Sequence, residues 1–229
     1  MRSLLYTTGS PFARGVRVML DEIGLDYERR EETTTPSAAS RADWTPALQV
    51  PTFRDGDLAL WESGVIAEYL LATYPQRAGH EPALAPSMWR AGLEWSDKVL
   101  FASIQTLGIS ATTISQMQWS GVRHHGNSHL TRCAERIGHL VEWLEGRIVQ
   151  NDEGFFGGIV SAQDIFLTCH LRFIANRPLE LDVRLEAHPK IRALVERMES
   201  RASFRNNPVR WWEPGIVGYE ADGTPVRAT

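Results

Sequence analysis

The chain has 229 residues, 43% hydrophobic and 23% charged, enough to bury one large or two small cores. Its net charge of -4 argues against the basic field that nucleic acid or an anionic membrane surface requires. No apolar run reaches the roughly 18 residues that span a bilayer, and "MRSLLYTTGS" is too short in its apolar part to be expected as a secretory leader.

The first eighty residues alternate strand-like and helix-like pieces. Leu4–Tyr6 is a short apolar run, and Phe12, Val16, Met19, Leu20 and Ile23 then fall on one face of a helix that Gly24 stops. "LDYERREE" reads as a second strand and "TTTPSAASRADWTPALQ" as a long connection. Thr52–Phe53 and Leu58–Trp61 read as the arms of a hairpin turned at Asp55-Gly56, followed by a helix with Ile66, Tyr69 and Leu70 facing inward. "PQRAGHEPALAP" lacks periodicity and reads as a linker.

Beyond it the pattern is helical. Trp89–Leu107 and Ile109–Val122 suggest one long helix interrupted at Gly108, and Leu130, Cys133, Ile137, Leu140, Val141, Leu144 and Ile148 form another stripe. Ser161 and Asp164 make a capping box, and Pro189 opens the stripe Ile191, Leu194, Val195, Met198. The end, from "NNPVRWW" onward, reads as irregular.

Three short stretches carry candidate chemistry. In "TTGSPFARGV", Ser10 precedes Pro11 at a helix mouth, with Arg14 and Arg17 in the following turns. That is an N-cap, and also a place where a hydroxyl and bare N–H groups can meet an anion. A ligand thiol placed there would be pushed toward thiolate, because helix N-termini and cations lower thiol pKa from about 8.5 into the range of roughly 3.5–7.5. At Val50–Pro51 two readings stay open: a trans Pro opening an edge strand, or a cis bond that turns the Val50 N–H and C=O outward to pair with an extended peptide. In "ESGVI", Ser63 is read as an N-cap; it is either a plain cap beside a solvated Glu62 or a carboxylate site whose Glu62 receives an ammonium group. Jointly the three describe a site for a short peptide with an amino-acid head, an extended middle and a thiol.

The pieces "SPFARGVRVMLDEIGLDYE", "TPALQVPTFRDGDLALWESGVIAEYL" and "GGIVSAQDI" resemble the cytosolic glutathione S-transferases over nearly the whole chain. The resemblance implies an α/β thioredoxin-like N-terminal domain (β-α-β-α-β-β-α type) followed by an all-α helical-bundle C-terminal domain. The implied bounds are 1–77 for the first domain, 78–86 for a linker, 87–205 for the second and 206–229 for an irregular tail. It implies a serine-type transferase in which Ser10 donates a hydrogen bond to the thiolate and Val50, ahead of a cis Pro51, pairs with the cysteinyl unit. Glu62 and Ser63 would hold the γ-glutamyl head, and Gln49 would lie near the glycyl end. Glutathione is then a co-substrate with no permanent cofactor; the partner is an electrophile, the assembly a homodimer with Asp97 a candidate contact, and the role detoxification.

The sequence departs from the family at Thr45-Pro46-Ala47-Leu48, where relatives read like N-P-x-G, so Leu48 stands in place of Gly. Tyr6, Thr7 and Thr8 are alternative hydroxyls to Ser10. Phe12, Trp95 and Trp211, next to Trp212, are candidates for the co-substrate pocket. His124, His125 and His129 cluster, His125 and His129 at helical i, i+4 spacing, but no Glu or Cys completes a ligand set, so a solvated loop is expected rather than zinc. Cys133 and Cys169 lie in helical stripes without CxxC spacing, which disfavours redox chemistry and fits a reducing, cytoplasmic compartment. Two rivals remain open: a non-catalytic binding or regulatory protein on the same scaffold, and a glutathione-dependent isomerase, peroxidase or dehalogenase.

Overall fold

The computed structural model describes residues 1–32, 41–74, 84–148 and 154–210, together with the backbone of 216–219 and 225–227. Strand β1 (Arg2–Thr7) is followed by α1 (Pro11–Ile23), β2 (Glu28–Glu32), β3 (Thr52–Asp55), β4 (Leu58–Trp61) and α2 (Ser63–Thr73). The sheet order is β2-β1-β3-β4. β1 pairs parallel with β2 and antiparallel with β3, setting Leu4 opposite Phe53. The central strand β1 is apolar and buried, whereas β2, at an edge, is "ERREE", charge that discourages pairing with another chain.

The hairpin closes through Gly56 and Asp57, one residue later than the sequence pattern implied. Asp55 remains in the ladder opposite Leu58, and its carboxylate accepts from the hydroxyls of Tyr69, at 3.0 Å, and Tyr74, which ties the hairpin to α2. Gly56 takes the positive φ that the tight turn demands (59°). The connection at 33–40 and most of the linker (75–83) lie outside the described residues.

The second domain holds α3 (Glu94–Trp119), α4 (Ser128–Glu145), α5 (Ala162–Ala175), a 3₁₀ turn (Leu185–Ala187), α6 (Pro189–Glu199) and α7 (Ala202–Asn206). The expected capping box is present: Ser161 Oγ accepts from the Asp164 N–H at 3.2 Å, and Asp164 Oδ2 accepts from the Ser161 N–H at 2.7 Å. Asp164 Oδ1 also accepts from the Phe155 N–H, so a fully buried carboxylate anchors the start of α5. The tail is not wholly irregular, since β5 (Ile216–Tyr219) and β6 (Pro225–Arg227) pair antiparallel. No helix among the described residues is long and apolar enough to cross a membrane.

α3 runs unbroken through Gly108, against the expectation of an interruption there, and begins at Glu94 rather than Trp89. Glycine is tolerated inside a helix at a cost near 1 kcal/mol, and here packing needs it. A Cβ at Gly108 would overlap the His170 ring of α5, and one at Gly15 of α1 would overlap Phe166. Around these contacts runs a column of rings through the seam between the domains: Trp89 on Phe101 (6.2 Å between centroids), Phe101 on Phe166 (5.4 Å), Phe166 on His170 (6.2 Å) and His170 on Phe12 (4.7 Å).

Gly108→Ala should therefore cost about 1–3 kcal/mol, read as a lower urea midpoint, because the added methyl overpacks a closed contact. His170 is fully buried, and burial pushes its pKa down to about 3 from 6.5. Its native ring is neutral while the unfolded chain takes up a proton below pH 6.5, so stability present above that value is lost as pH falls toward 3, by at most about 1.4 kcal/mol per pH unit. Urea midpoints between pH 7 and 4.5 should fall less steeply in His170→Leu than in the wild type; equal slopes would contradict this assignment.

Candidate functional site

A cavity of about 930 Å³ opens in the seam. On one side it is lined by Ser10, Phe12, Gln49, Val50, Pro51, Glu62 and Ser63, the residues singled out in the first domain. The other side is built from α3 and α5, with Phe101, Gln105, Ile109, Trp119 and Phe173.

Ser10 is the N-cap of α1. Its Oγ accepts from the Ala13 N–H at 3.2 Å, which uses a lone pair and leaves the O–H to donate elsewhere. Of the neighbouring hydroxyls, only Thr7 also lines the cavity. Thr8 donates to Glu31. Tyr6 is buried beneath Arg17, 4.7 Å from guanidinium to ring centroid, and donates to Glu31 at 3.2 Å. Burial, with the Glu31 carboxylate adding to it, raises the Tyr6 pKa, so that hydroxyl keeps its proton at neutral pH. Arg14 and Arg17 turn away from the cavity: Arg14 binds the Asn207 carbonyl (2.7 Å) and Glu199 (3.0 Å).

The Val50–Pro51 bond is cis, which resolves the two readings of that pair. Among the described residues the Val50 backbone makes no hydrogen bond. Just before it, Leu48 adopts φ 54°, the left-handed conformation for which relatives were expected to use Gly. Its carbonyl accepts from Arg41 at 3.3 Å, and Arg41 also donates to Glu32 through Nε (2.9 Å) and Nη2 (2.8 Å).

The N-cap of α2 is Glu62 rather than Ser63, because the Glu62 carbonyl already accepts from the Ile66 N–H and the helical ladder begins one residue early. No side chain caps this helix, so the N–H groups of Ser63, Gly64 and Val65, which all line the cavity, lack intrahelical acceptors. Ser63 is buried and donates from Oγ to Gln105 Oε1 at 3.4 Å, linking the two walls. Glu62 sits at φ 66°, ψ 114°, a combination that a residue with a side chain adopts at a cost of about 1–3 kcal/mol, typically at functional sites.

Several expectations do not hold. Trp95 lies outside the cavity, 79% exposed under Lys98, because its position on the first turn of α3 faces outward; Trp89 and Trp119 supply the indoles instead. Trp211 and Trp212 lie outside the described residues. Asp97 is buried rather than presented outward, accepting from the Arg90 N–H (2.8 Å) and guanidinium (2.6 Å). His124 is buried rather than solvated. Sequence reasoning did not find Arg41, Glu32, Gln105 or Arg177, whose Nη2 donates to the Gly9 carbonyl at 2.9 Å beside Ser10. They sit on separate segments and share no motif: Glu32 ends the edge strand, Arg41 lies in the connection before β3, Gln105 is on α3 and Arg177 just past α5.

A family profile described as glutathione S-transferase, N-terminal domain, matches residues 4–78, and one described as glutathione S-transferase, C-terminal domain, matches residues 127–197. Among solved structures, a glutathione S-transferase of Methylobacterium radiotolerans in complex with glutathione sulfonate is 23% identical, with a TM-score of 0.72 over 90% of this chain and 93% of its own. One from Methylobacillus flagellatus with glutathione bound is 21% identical, with a TM-score of 0.72 over 90% and 98%. One from Rhodospirillum rubrum is 25% identical, with a TM-score of 0.70 over 99% and 97%. No curated protein matches the chain.

Glu62→Gly should raise the unfolding free energy by about 1 kcal/mol, since relief of the positive φ outweighs the entropy glycine adds to the unfolded chain. A lower denaturation midpoint in this variant would show that Glu62 is not strained.

Proposed function

The chain belongs to the glutathione S-transferase family, and on that premise we propose that it binds glutathione in this cavity and activates the thiol for attack on an electrophilic, partly apolar small molecule. The observation that carries the reading is the meeting of two helix N-termini, α1 at Ser10 and α2 at Ser63, in one cavity that Val50 also lines. The unpaired N–H groups of α2 suit the γ-glutamyl carboxylate, the Ser63 hydroxyl turns its proton from Gln105 Oε1 to the same carboxylate, and Glu62 suits the ammonium group of the head. Val50 pairs with the cysteinyl backbone as a one-residue added strand. Gln49, with Arg41 beside it, suits the glycyl carboxylate.

In this arrangement the sulfur meets Ser10 at the α1 N-terminus. The Ser10 O–H donates to the thiolate, and the positive end of the helix dipole favours the anion. The thiol proton leaves to solvent, and the sulfur lone pair forms the new S–C bond as the electrophile's leaving group departs or its π-bond accepts the electrons. The chain supplies position and electrostatic stabilisation; the nucleophile is the ligand's own. Phe12, Trp89, Ile109, Trp119 and Phe173 offer the co-substrate apolar and aromatic surface.

The same reading places the chain in the cytoplasm as a detoxification enzyme, a setting supported by its two free, buried cysteines. It also makes the chain a homodimer, supported by exposed Trp95 and Val99, one turn apart on α3. Calorimetric titration should give saturable glutathione binding that weakens about tenfold or more in Ser63→Ala, because a charge-assisted hydrogen bond contributes roughly 1.5–3 kcal/mol. Unchanged affinity in that variant would contradict the assignment of the head group. Binding without conjugation of any electrophile would favour a non-catalytic member of the family.

A further inference from the structure

We propose that His124, His125 and Glu180 form a binding site for a divalent cation of the zinc class, pinning the turn after α3 to the segment after α5. The two histidines lie in the turn between α3 and α4, and Glu180 lies 56 residues further along than His124, beyond α5, so only the fold brings them together. Each offers one ligand atom, and the three atoms lie within 4.8 Å of one another. Ligands about 2.1 Å from a tetrahedral ion are roughly 3.4 Å apart, so the cluster must contract by about an ångström. The exposed side chains of His125 and Glu180 can supply that movement.

The surroundings fit such a site. His124 is buried, and its Nε2 donates to the Glu180 backbone carbonyl at 3.2 Å, which holds the ring against the residue whose carboxylate completes the set. Thr131 of α4 donates to the His124 carbonyl at 2.9 Å and fixes the backbone. The two imidazoles lie 3.8 Å apart between centroids with their planes tilted by 42°, which keeps the His125 ring beside the held ring of His124. Arg123 occupies Oε1 of Glu180, while Oε2 faces His125 Nε2 at 3.9 Å and remains the oxygen available to an ion. Two imidazoles and one carboxylate select zinc, nickel or copper over calcium or magnesium, which prefer all-oxygen shells.

The site lies behind the cavity wall. Trp119, the last residue of α3, and Arg177, just past α5, both line the cavity, and Gln118 already bonds the Pro178 carbonyl at 3.2 Å. A bound ion adds a second tie between the same two segments and stiffens the co-substrate side of the cavity.

The test is a titration of tag-free protein with zinc against a chromophoric chelator, for the wild type, His125→Ala, Glu180→Gln and, as a control, His139→Ala on the exposed face of α4. The expected result is one ion per chain, held at least tenfold more weakly by His125→Ala and Glu180→Gln and equally by the control. Zinc should also raise the Tm of the wild type and the control but not of the other two. Absence of stoichiometric binding, or equal affinity in all four proteins, would overturn the proposal, the second outcome meaning an adventitious ion only.

Discussion

The contact of Phe166 and His170 with the bare backbones of Gly15 and Gly108 sets the distance between the two domains. Because no Cβ intervenes, α1 and α3 close onto α5 from either side, and the rings of Phe12, Phe101 and Trp89 continue the packing to the cavity edge. One wall of the cavity therefore hangs from α1 and α2, the other from α3 and α5. Their spacing follows from a close-packed aromatic seam rather than from loops. A shift of a few tenths of an ångström in that seam would be felt at Ser10, two residues from Phe12.

On that frame the chemistry is mostly backbone chemistry. The start of a helix leaves N–H groups without acceptors, and here two such starts face one cavity. α1 is capped by Ser10, so its end presents a hydroxyl as well as a dipole. α2 is left without a side-chain cap, and Glu62 is bent to φ 66° to enter it. A cap would satisfy the N–H groups that the proposed head-group site needs, so local stability and ligand binding compete at this turn. The buried carboxylate of Asp164 shows the opposite choice: it accepts from the Phe155 and Ser161 N–H groups and the Ser161 hydroxyl, so this helix start is closed by its own chain.

What was legible in the sequence follows the range of the forces involved. Capping boxes, Pro at the first helical position, the αL Gly24 and the apolar stripes are local, and they stand in the structure within a residue or two. Errors of one residue arose at turns, where Asp55 stays in its strand and Glu62, not Ser63, takes the cap. Gly108 misled because local propensity treats glycine as a breaker, whereas a partner 62 residues away requires it. Trp95 and Asp97 misled because composition alone does not say which way a residue on a helix's first turn faces. Arg41, Gln105 and Arg177 could not have been found, since what unites them is a cavity assembled from segments far apart in the chain. Glu180, joined to the histidine pair only by the fold, belongs with them.

The account rests on the claim that the α1 N-terminus, with Ser10, stabilises a thiolate on bound glutathione. The most direct measurement is the pH dependence of the ultraviolet thiolate absorbance of the glutathione complex, in wild type and in Ser10→Ala. The account predicts a wild-type midpoint at least one pH unit below the roughly 8.5 of a free thiol, and a midpoint raised by about a unit in the variant, with affinity largely kept. A midpoint near that of free glutathione in the wild type, or the same midpoint in both proteins, would contradict it.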